Sequence, residues 1–171
     1  VSKLFLVGMA LCGVHLLQAD VPGSEDCAPE DEVFASVCRL KAGRTEVVIS
    51  AGAHAAEKLA ADEMSQLLGK AFGEPIPVVT QPTSGRTSVF LGSNVWTRAV
   101  GIRTEALVRD AFSICCDGKS VYIAGRDSTT DNPAKHCFLG DECRWQLQFE
   151  RGTLFGVYEF LERHAGGRMY F

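Results

Sequence analysis

At 171 residues the chain has room for one ordinary domain and little more. With 46% hydrophobic and 22% charged residues it has a globular composition, which excludes a disordered or collagen-like chain. A formal charge of −4 with no Lys/Arg-rich run argues against nucleic acid as a partner, because phosphates need a concentrated basic footprint.

Lys3 is followed by an apolar run from Leu4 to Leu17 and then by Ala19, the pattern of an export signal cleaved after Ala19. The run is shorter than the roughly 20 residues of a membrane span. The expectation is therefore a secreted or periplasmic protein with no membrane contact after cleavage; the alternative is a buried N-terminal helix. Leu11 stands before Cys12 where lipidation sites carry a small residue. Residues 20–32, rich in Pro, Gly and acids, read as an exposed leader, and residues 33–171 as the folded domain.

Within that domain, Val33 to Leu40 and Thr45 to Ser50 are candidate strands separated by the turn Lys41-Ala42-Gly43-Arg44. Consecutive Val47, Val48 and Ile49 suit a strand covered on both faces. Ala56, Ala60, Met64, Leu67, Leu68 and Ala71 recur at helical spacing, which predicts a helix over Ala53–Phe72. Glu57, Lys58, Asp62, Glu63 and Lys70 form its expected solvated side, and Gly69 or Gly73 its stop.

Pro75 and Pro77 mark Ile76 to Thr80 as an edge strand. Thr87 to Leu91 reads as a buried strand ending at Gly92, with a short helix over 93–100. Gly92-Ser93-Asn94 is more simply a strand-to-helix turn than a phosphate site. Ala111 to Cys116 and Lys119 to Ala124 form a predicted hairpin around a two-residue Asp117-Gly118 loop. Period-two alternation sets Phe112, Ile114 and Cys116 on one face and Ser113 and Cys115 on the other. Residues 125–151 are an irregular, polar stretch. Leu154, Val157, Tyr158, Leu161 and Ala165 predict a helix over 153–165, with Glu159 and Arg163 as an i, i+4 pair. Met169-Tyr170-Phe171 reads as the opening of a further strand.

Six cysteines remain after signal removal: Cys27, Cys38, Cys115, Cys116, Cys137 and Cys143. They allow about 15 pairings, and spacing alone does not choose. Cys137 and Cys143, both in the irregular stretch, are the preferred disulfide candidates. A zinc site with His136 is the rival, but no paired C-x-x-C or H-x-x-x-H spacing supplies four ligands. No metal or cofactor site is assigned.

Common nucleotide, zinc-protease and α/β-hydrolase strings are missing from the sequence. Asp127, Asp131, Asp141, Glu142 and Glu159 are the carboxylates considered for glycoside hydrolysis, but no spacing sets a pair at glycosidase separation. His15, His54, His136 and His164 are scattered, and His164 at a helix end has a dipole explanation. No catalytic residue is assigned.

The order of elements, closing with Gly-Thr-Leu-Phe-Gly-Val-Tyr-Glu-Phe-Leu-Glu-Arg over 152–163 and Gly-Gly-Arg-Met after it, resembles the N-terminal domain of α-glucuronidases and related β-N-acetylhexosaminidase-like enzymes. Echoes are Glu46-Val47-Val48-Ile49 before Ala56-Glu57-Lys58-Leu59-Ala60, Val89-Phe90-Leu91-Gly92, and Val121-Tyr122-Ile123-Ala124-Gly125-Arg126-Asp127. The resemblance spans about Val33 to Phe171, and only the block 152–163 has any specificity. It implies an α/β (α+β) fold with helices on a mixed sheet, placed before a (β/α)8 barrel that binds sugar and carries the catalytic carboxylates.

The partner implied by the resemblance is that C-terminal barrel, in a continuation of the same protein, with polysaccharide as the substrate of the whole. The expected role is a non-catalytic accessory domain of a secreted glycoside hydrolase. The alternative is a stand-alone exported carbohydrate-binding module that stacks sugar on Trp96, Trp145 or Tyr122, although each ring serves equally as core. A third reading makes the 127–142 loop catalytic.

Overall fold

The computed structural model describes residues 4–10, 35–129 and 150–165. Apolar β-branched runs separated by polar turns form strands, and the two 3.6-period stripes form the long helices. The elements in chain order are β1 (Leu4–Ala10), β2 (Ala35–Lys41), β3 (Thr45–Val48), α1 (Ala55–Phe72), β4 (Val78–Val79), β5 (Thr87–Leu91), α2 (Val95–Ala99), a 3-10 turn (Thr104–Ala106), β6 (Phe112–Cys116), β7 (Val121–Gly125) and α3 (Gly152–Ala165). β1 and β2 form an antiparallel ribbon of their own. The other five strands form one sheet in the order β4-β3-β5-β7-β6, parallel except for β6, which runs antiparallel to β7. The fold is α/β, a mixed sheet carrying helices.

Alternation along the central strands divides the core in two. Val47, Val89, Leu91, Val121 and Ile123 face α1 and α3, meeting Ala60, Met64, Leu68, Val157, Phe160 and Leu161. Val48, Phe90, Cys115, Tyr122 and Ala124 line the opposite face, where Ile102, Trp96 and Val100 form a thinner cover. Val47 and Val48 are both fully buried, as a strand enclosed on two sides requires. Short β4, preceded by Pro75 and Pro77, lies at one edge of the sheet, where missing N–H groups interrupt the fewest ladder bonds.

Two expectations need correction. The β6–β7 loop is not the two-residue loop expected from Asp117-Gly118: Cys116 pairs with Val121, leaving Asp117 to Ser120 in the turn. Only Gly118 there has positive φ, at 85°. Asp117 Oδ1 accepts the N–H groups of Lys119 and Ser120, and this side-chain capture stabilises the wider turn. Glu57, read as solvated, is buried because its carboxylate binds backbone across two loops. Leu4–Ala10 of the N-terminal apolar run form the strand β1 against β2, not the buried helix of the alternative reading. The remainder of that run, the leader, Cys137, Cys143, Trp145, Asp131, Asp141, Glu142, His136 and Met169–Phe171 lie outside the described residues.

Helix α1 ends at Gly73, whose φ of 77° places its N–H on the Gly69 carbonyl at 2.8 Å. Helix α3 begins against the sheet with almost no clearance. A Cβ on Gly156 would stand 2.7 Å from Ile123 Cγ2 and 3.2 Å from the Phe112 ring. One on Gly125 would stand 2.1 Å from the Gly152 carbonyl carbon. The glycines of the 152–163 block are therefore contact points between helix and sheet.

Candidate functional site

In open α/β sheets, ligands settle at the carboxyl ends of strands where successive crossovers diverge. Here the chain leaves β3 through α1 to β4 on one side and then returns to β5 on the other, so the divergence lies between β3 and β5. Gly92 ends β5 with φ 80°, and the Glu57 carboxylate occupies the space that a Gly92 Cβ would take. Glu57 Oε1 accepts the Ser93 N–H at 2.7 Å, and Oε2 accepts the His54 N–H at 2.8 Å. This carboxylate fills, from within the protein, the place where an anion would meet the α1 N-terminus, so Gly92-Ser93-Asn94 is a strand-to-helix turn.

Asn94 then caps α2: its Oδ1 accepts the N–H groups of Trp96 and Thr97, each at 3.0 Å. The cap sets Trp96 in the first turn of α2, its ring stacked on Phe90 at a centroid distance of 5.2 Å. Half-buried Trp96, with Ser50, Thr80, Gln81, Ser93, Asn94 and Arg98, lines an open groove of about 400 Å³. An aromatic ring beside hydroxyl, amide and guanidinium groups matches the chemistry of a polar ring ligand such as a sugar. Tyr122, the other described aromatic candidate, is buried; its ring stacks on Phe90 at 5.1 Å and its hydroxyl donates to Asp117 Oδ2 at 2.8 Å. Burial, then the Asp117 hydrogen bond, pushes the Tyr122 phenol up to about 12. Burial of Asp117 itself is outweighed by donors from Lys119, Ser120 and Tyr122, which hold its carboxyl below the usual range.

Asp127, one of the carboxylates considered for catalysis, sits just beyond β7. Its Oδ1 accepts the Thr153 N–H at 2.9 Å and its Oδ2 the Thr153 hydroxyl, so it caps α3 from a distant part of the chain. Burial raises its carboxyl to about 6 against the pull of those Thr153 donors, with Glu57 adding a smaller upward push. Thr153 Oγ1 also accepts the Gly125 N–H at 2.9 Å, tying strand, loop and helix at one junction. Glu159 pairs with Arg163 on the outer side of α3, as the spacing predicts. His164 packs its ring against Phe160, and burial followed by the Arg163 charge depresses its pKa.

A second concavity lies at the amino ends of the parallel strands. Arg39, Lys41, Arg44, Arg86 and Lys119 line a cleft of about 760 Å³ with Gly85, Thr87 and Gly118. Five cations converge there on a chain whose net charge is −4, which makes this the region suited to an anionic group. Sequence reading missed it because the cations come singly from three separate turns and strand ends. Beside it Glu46 is fully buried, its Oε1 accepting from Thr83 N–H and Ser88 hydroxyl while Oε2 has no hydrogen-bond partner. Among the described residues no group of three or more His, Cys, Asp and Glu side chains converges as a metal site would.

No protein-family model matches the sequence. No curated protein matches it either. Among solved structures, the chain is similar to part of a family GH115 4-O-methyl-α-glucuronidase with specificity for decorated arabinogalactans, at a TM-score of 0.46 and 16% identity. The match covers 72% of this chain and 14% of that one, so this chain corresponds to a small part of that enzyme's length.

Proposed function

We propose that this chain is a non-catalytic accessory domain of a secreted glycoside hydrolase of the α-glucuronidase kind, carried before a sugar-binding barrel. The observation that carries this reading is the junction at the start of α3. The block 152–163, which bears the most specific part of the sequence resemblance, is the segment whose Gly152, Thr153 and Gly156 seat the helix on β7. Its glycines and threonine thus have a scaffold role. The carboxylates point the same way: buried Glu57 and half-buried Asp127 are committed to backbone N–H groups rather than paired across a cleft.

A second reading, a stand-alone carbohydrate-binding module, draws on the groove holding Trp96. The genomic reading frame beyond Phe171, together with assays on the purified chain, separates the two. A frame continuing into a (β/α)8 barrel, with no hydrolysis of aryl α-glucuronides by this chain alone, is the result expected for an accessory domain. A stop codon directly after Phe171, with polysaccharide binding lost in Trp96→Ala, supports the binding module. Hydrolysis by the chain alone overturns both.

A further inference from the structure

The cleft at the amino ends of the parallel strands gathers its cations from turns far apart in sequence. Strands β3, β5 and β7 lie side by side and parallel, and Arg44, Arg86 and Lys119 stand just before them. Neighbouring strands are about 4.8 Å apart, so these positions form a row about 10 Å long. Alternation along β2 adds Arg39 and Lys41, exposed on one face of that strand while Cys38 and Leu40 are buried. Hydrogen bonds fix the arrangement. Thr45 Oγ1 accepts the Lys41 N–H and donates to the Lys41 carbonyl, the Arg44 carbonyl accepts the Thr87 N–H at 2.7 Å, and Arg86 Nη1 donates to the Thr45 carbonyl at 3.2 Å.

Among the described residues the ion pairs are Arg109–Asp110, Arg126–Glu150 and Arg163–Glu159, and none includes a cation of the cleft. The acids nearby are engaged with other groups: Glu74 accepts the Gly43 N–H, Asp117 accepts from its own turn and from Tyr122, and Glu46 is buried. All five cations are exposed, so an arriving anion meets them without breaking an existing ion pair.

We propose that this cleft is a binding site for a sulfated glycan. Its volume of about 760 Å³ far exceeds a single ion, and one ion cannot touch the whole row, so the ligand carries several anionic groups. The row has about the length of a disaccharide. A uronate chain offers one carboxylate per sugar, too few for five cations, whereas several sulfate esters on the same sugars come closer to matching them. The guanidinium forks of Arg39, Arg44 and Arg86 suit oxyanions that present two oxygens together. Gly85, Thr87 and Gly118 complete the lining, which holds no aromatic ring for a nucleic-acid base to stack on and no apolar pocket to anchor an acidic peptide. The inference is independent of the accessory-domain reading, which rests on α3.

The test is calorimetric titration of the full chain at low salt with a heparin oligosaccharide, its fully desulfated form, a single-stranded oligonucleotide and polyglutamate. The heparin oligosaccharide is expected to bind, more weakly as salt screens the charges, with no binding of the desulfated form and weaker binding of the other two. Arg44→Gln/Arg86→Gln/Lys119→Gln is expected to bind heparin at least about tenfold more weakly. Lys58→Gln/Lys70→Gln/Arg163→Gln, which removes as many exposed charges from α1 and α3, is expected to bind as wild type does. Hydrogen exchange of the wild-type chain with and without heparin locates the site however the variants fold, with slowed exchange expected over 41–44, 85–87 and 117–120. No binding of heparin, equal binding of the desulfated form, the oligonucleotide or polyglutamate, equal losses in the two triple variants, or slowed exchange confined to other segments each overturns the proposal.

Discussion

Asp127 sets two tendencies against each other: the Thr153 donors favour its charged form and burial favours the neutral one. Burial prevails, lifting the carboxyl to about 6, whereas an unfolded Asp titrates near 3.9. Between those values the folded chain keeps a proton that the unfolded chain has lost. Stability contributed by this group is therefore full below about pH 4 and declines as pH rises to about 6, by at most about 3 kcal/mol. Asp127→Asn retains an acceptor for the Thr153 N–H and has no proton to release. The difference in urea unfolding free energy between wild type and Asp127→Asn is expected to fall across that window and level off above it. A difference that stays constant from pH 4 to 7 would exclude the raised carboxyl.

At the level of elements, α3 is held to the sheet by close approach, and the two glycines involved meet different kinds of neighbour. Gly156 faces side chains, Ile123 and Phe112, which have some freedom to move; Gly125 faces the main chain of Gly152 and Thr153, which has none. Gly156→Leu is expected to lose at least about 1–3 kcal/mol, the usual cost of overpacking, seen as a melting temperature several degrees lower. An unchanged melting temperature would remove the packing argument. Gly125→Ala adds only a methyl group, yet it is expected to cost at least as much as Gly156→Ala, because a backbone clash is relieved only by moving the helix. Calorimetry of the two alanine variants checks the order, and the reverse ranking would contradict it.

For the whole molecule, the β1–β2 ribbon is a sheet separate from the five-stranded one. β1 contributes no ladder bond to the five-stranded sheet, and export would remove it. A chain beginning at Asp20 is expected to keep the five-stranded sheet and unfold cooperatively, with hydrogen-exchange protection lost chiefly over Ala35–Lys41. Loss of cooperative unfolding would show instead that β1 is an integral strand.

Local chemistry made much of this architecture legible in advance. The period-3.6 stripes of α1 and α3, the strand at Val47 and Val48 covered on both faces, and the opposite facing of Cys115 and Cys116 depend on neighbours close in sequence, and each is found as read, with Ile49 just past the strand's end. The turn at Asp117 was misjudged because a side chain reaching two and three residues ahead outweighed the Asp-Gly preference. What only the tertiary structure decided joins residues far apart in sequence. Glu57 is buried because Ser93, beyond a whole crossover, offers it an N–H; Asp127 caps a helix that begins at Gly152; five isolated cations share one cleft. Helical and strand periodicity are written in adjacent residues, whereas the partner of a carboxylate is set by where the sheet brings the chain back, and no spacing in the sequence encodes that distance.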